Sequence, residues 1–112
     1  KFKIKLGFNP ISHKIKQGDG RTPEGEYYID RKNPNSKYFL SLGISYPNVT
    51  DVKYATKLGL NPGKDIFIHG GPQIKDKLNI NDWTAGCISV SDKNIKIIYS
   101  MVEIGTPILI KP

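Results

Sequence analysis

Apolar and polar residues alternate from the first positions of the chain, with Phe2, Ile4, Leu6 and Phe8 on one side and Lys3, Lys5 and Gly7 on the other. A period of two predicts a strand with one buried face. The run QGDGRTPEG, with Gly18, Gly20, Pro23 and Gly25, predicts a tight turn region. EYYI and YFLSLGI then predict two more strands, separated by the turn-rich RKNPNSK. Thr50 is placed to cap a short helix in which Val52, Ala55 and Leu58 share a face and Gly59 ends it. DIFIH, nearly continuous in apolar residues, predicts a central strand. Ser91 or Asp92 caps a second helix carrying Ile95, Ile98 and Val102, stopped by Gly105, and TPILI closes the chain as a last strand. Strands beginning near Lys3, Tyr27, Phe39, Ile66 and Ile108 present more apolar face than two short helices can cover. The class predicted is therefore mainly β: a β-sandwich or closed, mainly antiparallel sheet with both helices packed outside.

The 112 residues suit a single domain spanning the whole chain, and no repeat or low-complexity segment interrupts it. No apolar run approaches the ~18 residues of a membrane-spanning helix. The chain begins at Lys1 without a methionine or a charged-then-apolar leader, which predicts a processed or trimmed product. Seventeen Lys and Arg stand against ten Asp and Glu, a net charge of +7 spread along the sequence. That balance suits an anionic partner or, equally, a solvated lysine-rich surface. Nucleic acid is the weaker partner, because no recognition-helix, RNP-like or zinc-finger pattern accompanies the charge.

Cys87 is the only cysteine, so no internal disulfide forms. With two histidines it is too little for a zinc site of four protein ligands, and no dinucleotide fingerprint is present, so no metal or organic cofactor is expected. Cys87 is then either a buried structural thiol or a reactive one. His69 ends DIFIH and is followed by two glycines, so its ring can emerge where the backbone turns sharply. Cys87 follows Gly86, which lets a substrate carbonyl approach nearby backbone amides. A histidine beside a thiol supplies the base that makes it nucleophilic near neutral pH. The stretch from Gly70 to Trp83, the longest without a predicted element, lies between the two. Spacing alone does not decide whether they meet.

IFIHGG followed by TAGCI resembles the signature of the L,D-transpeptidase catalytic-domain family, the YkuD-type cysteine enzymes of peptidoglycan. GDGRTPEGEYYI, NPNSKYFLSLGISYPN, DWTAGCI and GTPILI are similar to its YafK-like branch, in the family's order and over nearly the whole chain. The resemblance implies Cys87 as nucleophile, His69 as general base and the Gly70 carbonyl as the group that orients the imidazole. It implies an oxyanion hole from the backbone of Cys87, Gly86 and Ala85. From their own positions, Trp83, Thr84, Arg21 and Tyr46 are candidate substrate contacts: Trp83, four residues before Cys87, walls the site or packs under the loop, and Tyr46 in the loop-like SYPN lines a groove or packs. The substrate implied is the peptidoglycan stem peptide, cleaved through a thioester, with the enzyme periplasmic or secreted. An amine acceptor makes it a transpeptidase and water an L,D-carboxypeptidase; a lipoprotein attaching or detaching enzyme and a secreted wall-targeting toxin use the same machinery. A peptidoglycan-binding module without turnover is the non-enzymatic alternative. Many members carry SHGC and then an arginine, where this chain has Thr84-Ala85-Gly86-Cys87 and then Ile88-Ser89. That second histidine and that arginine are therefore absent, while the nucleophile and the base remain.

Among the other polar residues, His13 between Ser12 and Lys14 reads as a surface histidine, and Glu24 in TPEG as a residue that shapes the turn. Tyr27, Tyr28 and Tyr38 read as core or cross-strand partners. Arg21 fits either a carboxylate ligand or plain solvation.

Overall fold

The structure, a computed structural model, describes residues 2–36, 39–71, 84 and 86–112; Tyr38 lies outside them. Its longest strand runs where composition predicts a turn: β1 (Gly25–Ser36) continues through RKNPNS before β2 (Phe39–Ile44) pairs back against it. Pro34 cannot donate to a ladder, and it falls inside a register irregularity between Asn33 and Ser36. There the Asn33 side chain accepts the Asn35 N–H at 2.9 Å.

Asn48, not Thr50, caps α1 (Val49–Lys57). Its side chain accepts the Asp51 N–H while the Asp51 carboxylate accepts the Asn48 N–H, so two otherwise orphaned donors are satisfied reciprocally. Val52 and Leu58 are exposed and Asp51 and Ala55 are the buried residues of this helix. The apolar stripe is misleading because α1 docks through a polar contact, the Tyr27 hydroxyl donating to Asp51 at 2.6 Å. β3 (Phe67–His69) and β4 (Ile88–Ser89) lead into α2 (Asp92–Met101), and β5 (Pro107–Ile110) follows. Ser91 caps α2, and Ile95 is buried with Ile98 and Val102 packed beside it, as the periodicity predicts.

The strand order is β4-β3-β2-β1-β5, with every neighbour antiparallel except the parallel pair β3 and β4. β1 serves both halves: Gly25–Tyr28 pair with β5 and the remainder with β2, so the sheet curls about this strand. The mainly β class with two helices is realised as one curled sheet. α2 packs on β2 and β3. Lys32, Leu42, Ile68 and Ile88 lie in register on that side, and the next residues along, Asn33, Ser41, His69 and Ser89, form a polar row on the other face. Among the described residues no helix is long and apolar enough to cross a membrane.

The alternating N-terminal segment does not become a regular strand. It makes two isolated bridges, Lys5 with Ser89 and Gly7 with Thr84, and leaves Ile4 52% and Phe8 61% exposed. Gly7 is the cause: a Cβ there would lie 2.0 Å from the Gly20 carbonyl oxygen and 3.0 Å from Gly86 Cα. Close backbone approach decides this segment, not burial of one face. Lys5 and Ser89 exchange N–H···O bonds of 2.7 Å, which covers the outer edge of β4.

Candidate active site

Ile68 stands opposite Ile88 in the parallel pair, so Phe67 and His69 project to the same face as Ser89 and, two residues before it, Cys87. His69 and Cys87 line one cavity of about 300 Å³ with Asn33, Asn35, Ser36, Ser41 and Phe67. The two residues that spacing alone leaves apart are brought together by adjacent strands.

His69 is only 3% exposed, and its Nδ1 lies 2.6 Å from the Gly70 carbonyl oxygen. A carbonyl only accepts, so the ring proton sits on Nδ1 and Nε2 is the basic nitrogen. Burial pushes the imidazole below its ordinary pKa, against the Gly70 carbonyl, which favours the charged ring. The Cys87 sulfur accepts the Phe67 N–H at 3.4 Å and donates to the Asp65 carbonyl at 3.6 Å. Burial raises the thiol above its ordinary range, the Phe67 N–H and the Lys14 ammonium lower it, and Asp65 raises it. Both net shifts favour neutral forms. The resting pair is thiol and imidazole, an arrangement that can pass a proton to Nε2 as the sulfur attacks.

Gly86 makes the turn into Cys87 at φ +137°, and a Cβ there would meet the Arg21 carbonyl oxygen at 2.9 Å and Ile66 Cδ1 at 3.2 Å. Thr84 braces this turn, its hydroxyl donating to the Cys87 carbonyl at 2.5 Å and accepting the Gly86 N–H at 3.2 Å. Thr84 is thus buried and occupied by the turn, not presented to a substrate. Among the described residues, the Gly86 N–H is engaged by Thr84 and the Cys87 N–H is a backbone donor beside the sulfur. Trp83 and Ala85 lie outside the described residues.

Two other expected substrate contacts lie elsewhere. Tyr46 is 4% exposed within the hydrophobic core, its ring edge-on to Tyr27 and its hydroxyl donating to the Pro62 carbonyl at 2.7 Å. Its apolar ring gains more from the core than a loop-like sequence suggests. The Arg21 side chain lines a second cavity with His13, Asp51 and Tyr54, and what it brings under Cys87 is its backbone carbonyl. His13 is not a surface residue in function. Its Nδ1 accepts the Glu24 N–H at 2.8 Å, so Nε2 carries the proton and donates to Asp51 at 2.9 Å.

Sequence reasoning passes over the polar wall of the cavity. Asn33 and Asn35 alternate within RKNPNS, a period-two signal outweighed by the turn composition. Ser41 and Phe67 reach the site only through register, which no local pattern encodes. Arg31 stacks on the Phe67 wall: its guanidinium lies 4.8 Å over the ring and pairs with Asp30 at 3.0 Å and Asp65 at 3.2 Å.

Residues 1–110 match the model of the YkuD family, described as the L,D-transpeptidase catalytic domain. YafK of Escherichia coli (strain K12) is 31% identical over 94 residues, which are 82% of this chain and 32% of that protein. The helical cell shape determining protein Pgp2 from Campylobacter jejuni superposes with a TM-score of 0.74 at 27% identity, over 98% of this chain and 38% of that one. Bd1075 of Bdellovibrio bacteriovorus superposes with a TM-score of 0.65 at 26% identity, over 97% of this chain and 37% of that one. An L,D-transpeptidase from Mycobacterium smegmatis shares the fold at 17% identity, with a TM-score of 0.62 over 100% of this chain and 48% of that one. The chain thus spans about a third of the length of the YafK relative.

Proposed function

The chain belongs to the YkuD family of L,D-transpeptidase catalytic domains, and from that membership we propose that it is a cysteine acyltransferase acting on peptidoglycan stem peptides. The observation that carries the reading is the shared cavity of His69 and Cys87, with the His69 tautomer set by the Gly70 carbonyl. Cys87 Sγ attacks the carbonyl carbon of the bond between the L-centre of a diaminopimelate residue and the next D-amino acid, as its proton moves to His69 Nε2. The Cys87 N–H holds the tetrahedral oxyanion. On collapse, His69 returns the proton to the leaving amine, which departs and leaves a thioester on Cys87. An incoming amine, or water, then attacks the thioester while His69 takes its proton, and the sulfur is released as thiol.

Because both groups rest neutral, His69 acts as a general base during attack instead of storing a thiolate beforehand. An amine acceptor gives a cross-link or an attached lipoprotein, whereas water gives a trimmed peptide or, where the leaving amine belongs to a lipoprotein, a detached one. Substrates of this kind place the enzyme outside the cytoplasmic membrane, in the periplasm or secreted. The excess of seven positive charges suits a wall rich in carboxylates.

Mass spectrometry of muropeptides incubated with the pure protein tests the reading. Loss or exchange of the D-residue is expected with wild type and absent with Cys87→Ala, and His69→Ala slows it by roughly 10²- to 10⁴-fold. Unchanged muropeptides, together with no acylation of Cys87 by a β-lactam, favour a binding module and overturn the proposal.

A further inference from the structure

Lys14 is 3% exposed, an uncommon state for a residue type almost never fully buried unless paired. Its Nζ donates to Asp19 Oδ1 at 2.9 Å and to the Lys16 carbonyl at 3.1 Å. Asp19 also accepts the N–H groups of Arg21 at 3.0 Å, Ile15 at 2.9 Å and Lys16 at 3.1 Å. Burial alone would raise this carboxyl, but the Ile15 N–H, the ammonium and the other two N–H groups hold it at about 2. The carboxylate that anchors Lys14 is therefore ionised across the neutral range. The same loop lies against the turn that carries Cys87. The ammonium is 3.6 Å, and the Arg21 carbonyl oxygen 2.9 Å, from the point where a Gly86 Cβ would stand.

We propose that Lys14 is a positioning residue for the reaction: a water-excluded positive charge, held by Asp19 beneath the Gly86–Cys87 turn, that stabilises the negative charge developing on the Cys87 sulfur as its proton leaves for His69. This rests on the reading of Cys87 as nucleophile. Among the described residues, the ionisable groups that face the sulfur are His69 across the cavity, Asp65 and Lys14. Asp65 opposes a negative sulfur, and Arg31 partly offsets it through a contact of 3.2 Å. Lys14 favours it. A fixed charge buried from solvent needs little reorganisation when the sulfur ionises, and the low dielectric around it extends its reach. A pair that served only to tie the loop has no need of burial, since buried ion pairs are often replaceable by apolar side chains without loss of stability.

The test is the rate of Cys87 alkylation by iodoacetamide against pH in wild type, Lys14→Met, Lys14→Arg and His69→Ala, with thermal melts of each. Lys14→Met, similar in length but uncharged, is expected to raise the midpoint of the profile by about one unit and slow alkylation at neutral pH about tenfold, with the alkaline plateau unchanged. Lys14→Arg keeps a cation and recovers most of that rate. A folded Lys14→Met protein whose profile superimposes on wild type overturns the proposal. If Lys14→Met does not fold, the wild-type chain carrying ¹³C-lysine gives the answer. The Lys14 ε-carbon resonance should move with Cys87 ionisation and lose that step in Cys87→Ala; no coupled step overturns the proposal. A His69→Ala profile identical to wild type sinks the nucleophile reading itself. A changed His69→Ala profile beside an unchanged Lys14→Met profile sinks only the role of Lys14.

Discussion

Replacing Gly86 by alanine adds one methyl group at the point where the chain turns into Cys87. Two costs follow from the geometry. A φ of +137° lies where L side chains rarely stand, and holding a residue there costs about 1–3 kcal/mol. The new Cβ also meets the Arg21 carbonyl oxygen at 2.9 Å and Ile66 Cδ1 at 3.2 Å, an overpacking cost of about 1–3 kcal/mol. The carbonyl cannot step aside easily, because the Arg21 N–H is tied to Asp19 at 3.0 Å. Together Gly86→Ala should destabilise by about 2–6 kcal/mol, a large share of the ~5–15 kcal/mol that holds a typical domain together. Gly18→Ala is the control: φ is +83° but nothing lies within 4 Å of its added Cβ, so it carries only the left-handed backbone cost of about 1–2 kcal/mol. Urea unfolding of both variants measures the difference, with slopes compared to ensure that the unfolded states match. A drop in midpoint for Gly86→Ala no larger than for Gly18→Ala would refute the claim that close packing under Cys87 requires a glycine.

His13→Ala should cost about 1–3 kcal/mol, because the Glu24 N–H and the buried Asp51 carboxylate each lose a partner; urea unfolding indistinguishable from wild type would return His13 to the dispensable surface residue that its sequence neighbours suggest. Lys32→Met keeps the apolar stem but removes the ammonium that donates to the Tyr99 and Val102 carbonyls at 2.8 and 3.0 Å and sits 4.3 Å over the Tyr99 ring. A loss of about 1–2 kcal/mol with no change in Cys87 alkylation is expected, since the contact secures the C-terminal end of α2 on the face away from the cavity. Asp19 sets part of the acid limit. Its folded pKa of about 2 lies below the ordinary 3.8, so its contribution is complete above the ordinary value and is lost as pH falls through about 2. Asp19→Asn should therefore flatten the stability curve over that interval, and a wild-type slope retained in the variant would show that other carboxylates carry it.

Much of the fold is legible along the chain because local rules and tertiary structure agree there. The strand-like FLSLGI of β2, the apolar run of β3, and Ser91 with Ile95, Ile98 and Val102 in α2 each match the element formed. His69 and Cys87 are also legible as candidates, each at a strand boundary beside a glycine. Disagreement appears where a distant contact outweighs a local preference. RKNPNS reads as a turn but gains a ladder against β2, and the irregularity at Asn33 to Ser36 accommodates its proline. The first residues read as a half-buried strand but are placed by the close approach of Gly7, Gly20 and Gly86. Tyr46 and Thr84 look available to a substrate until the core and the Cys87 turn occupy them. Lys14 carries no signal at all, since a lysine among polar neighbours looks solvated until Asp19 folds back over it. Residue types and their spacing along the chain thus determined which elements could form and which side chains had the chemistry. Strand register, with its strict alternation of faces, decided that His69 and Cys87 share one cavity, and burial decided that both rest uncharged there, because pairing and desolvation depend on residues far apart in sequence.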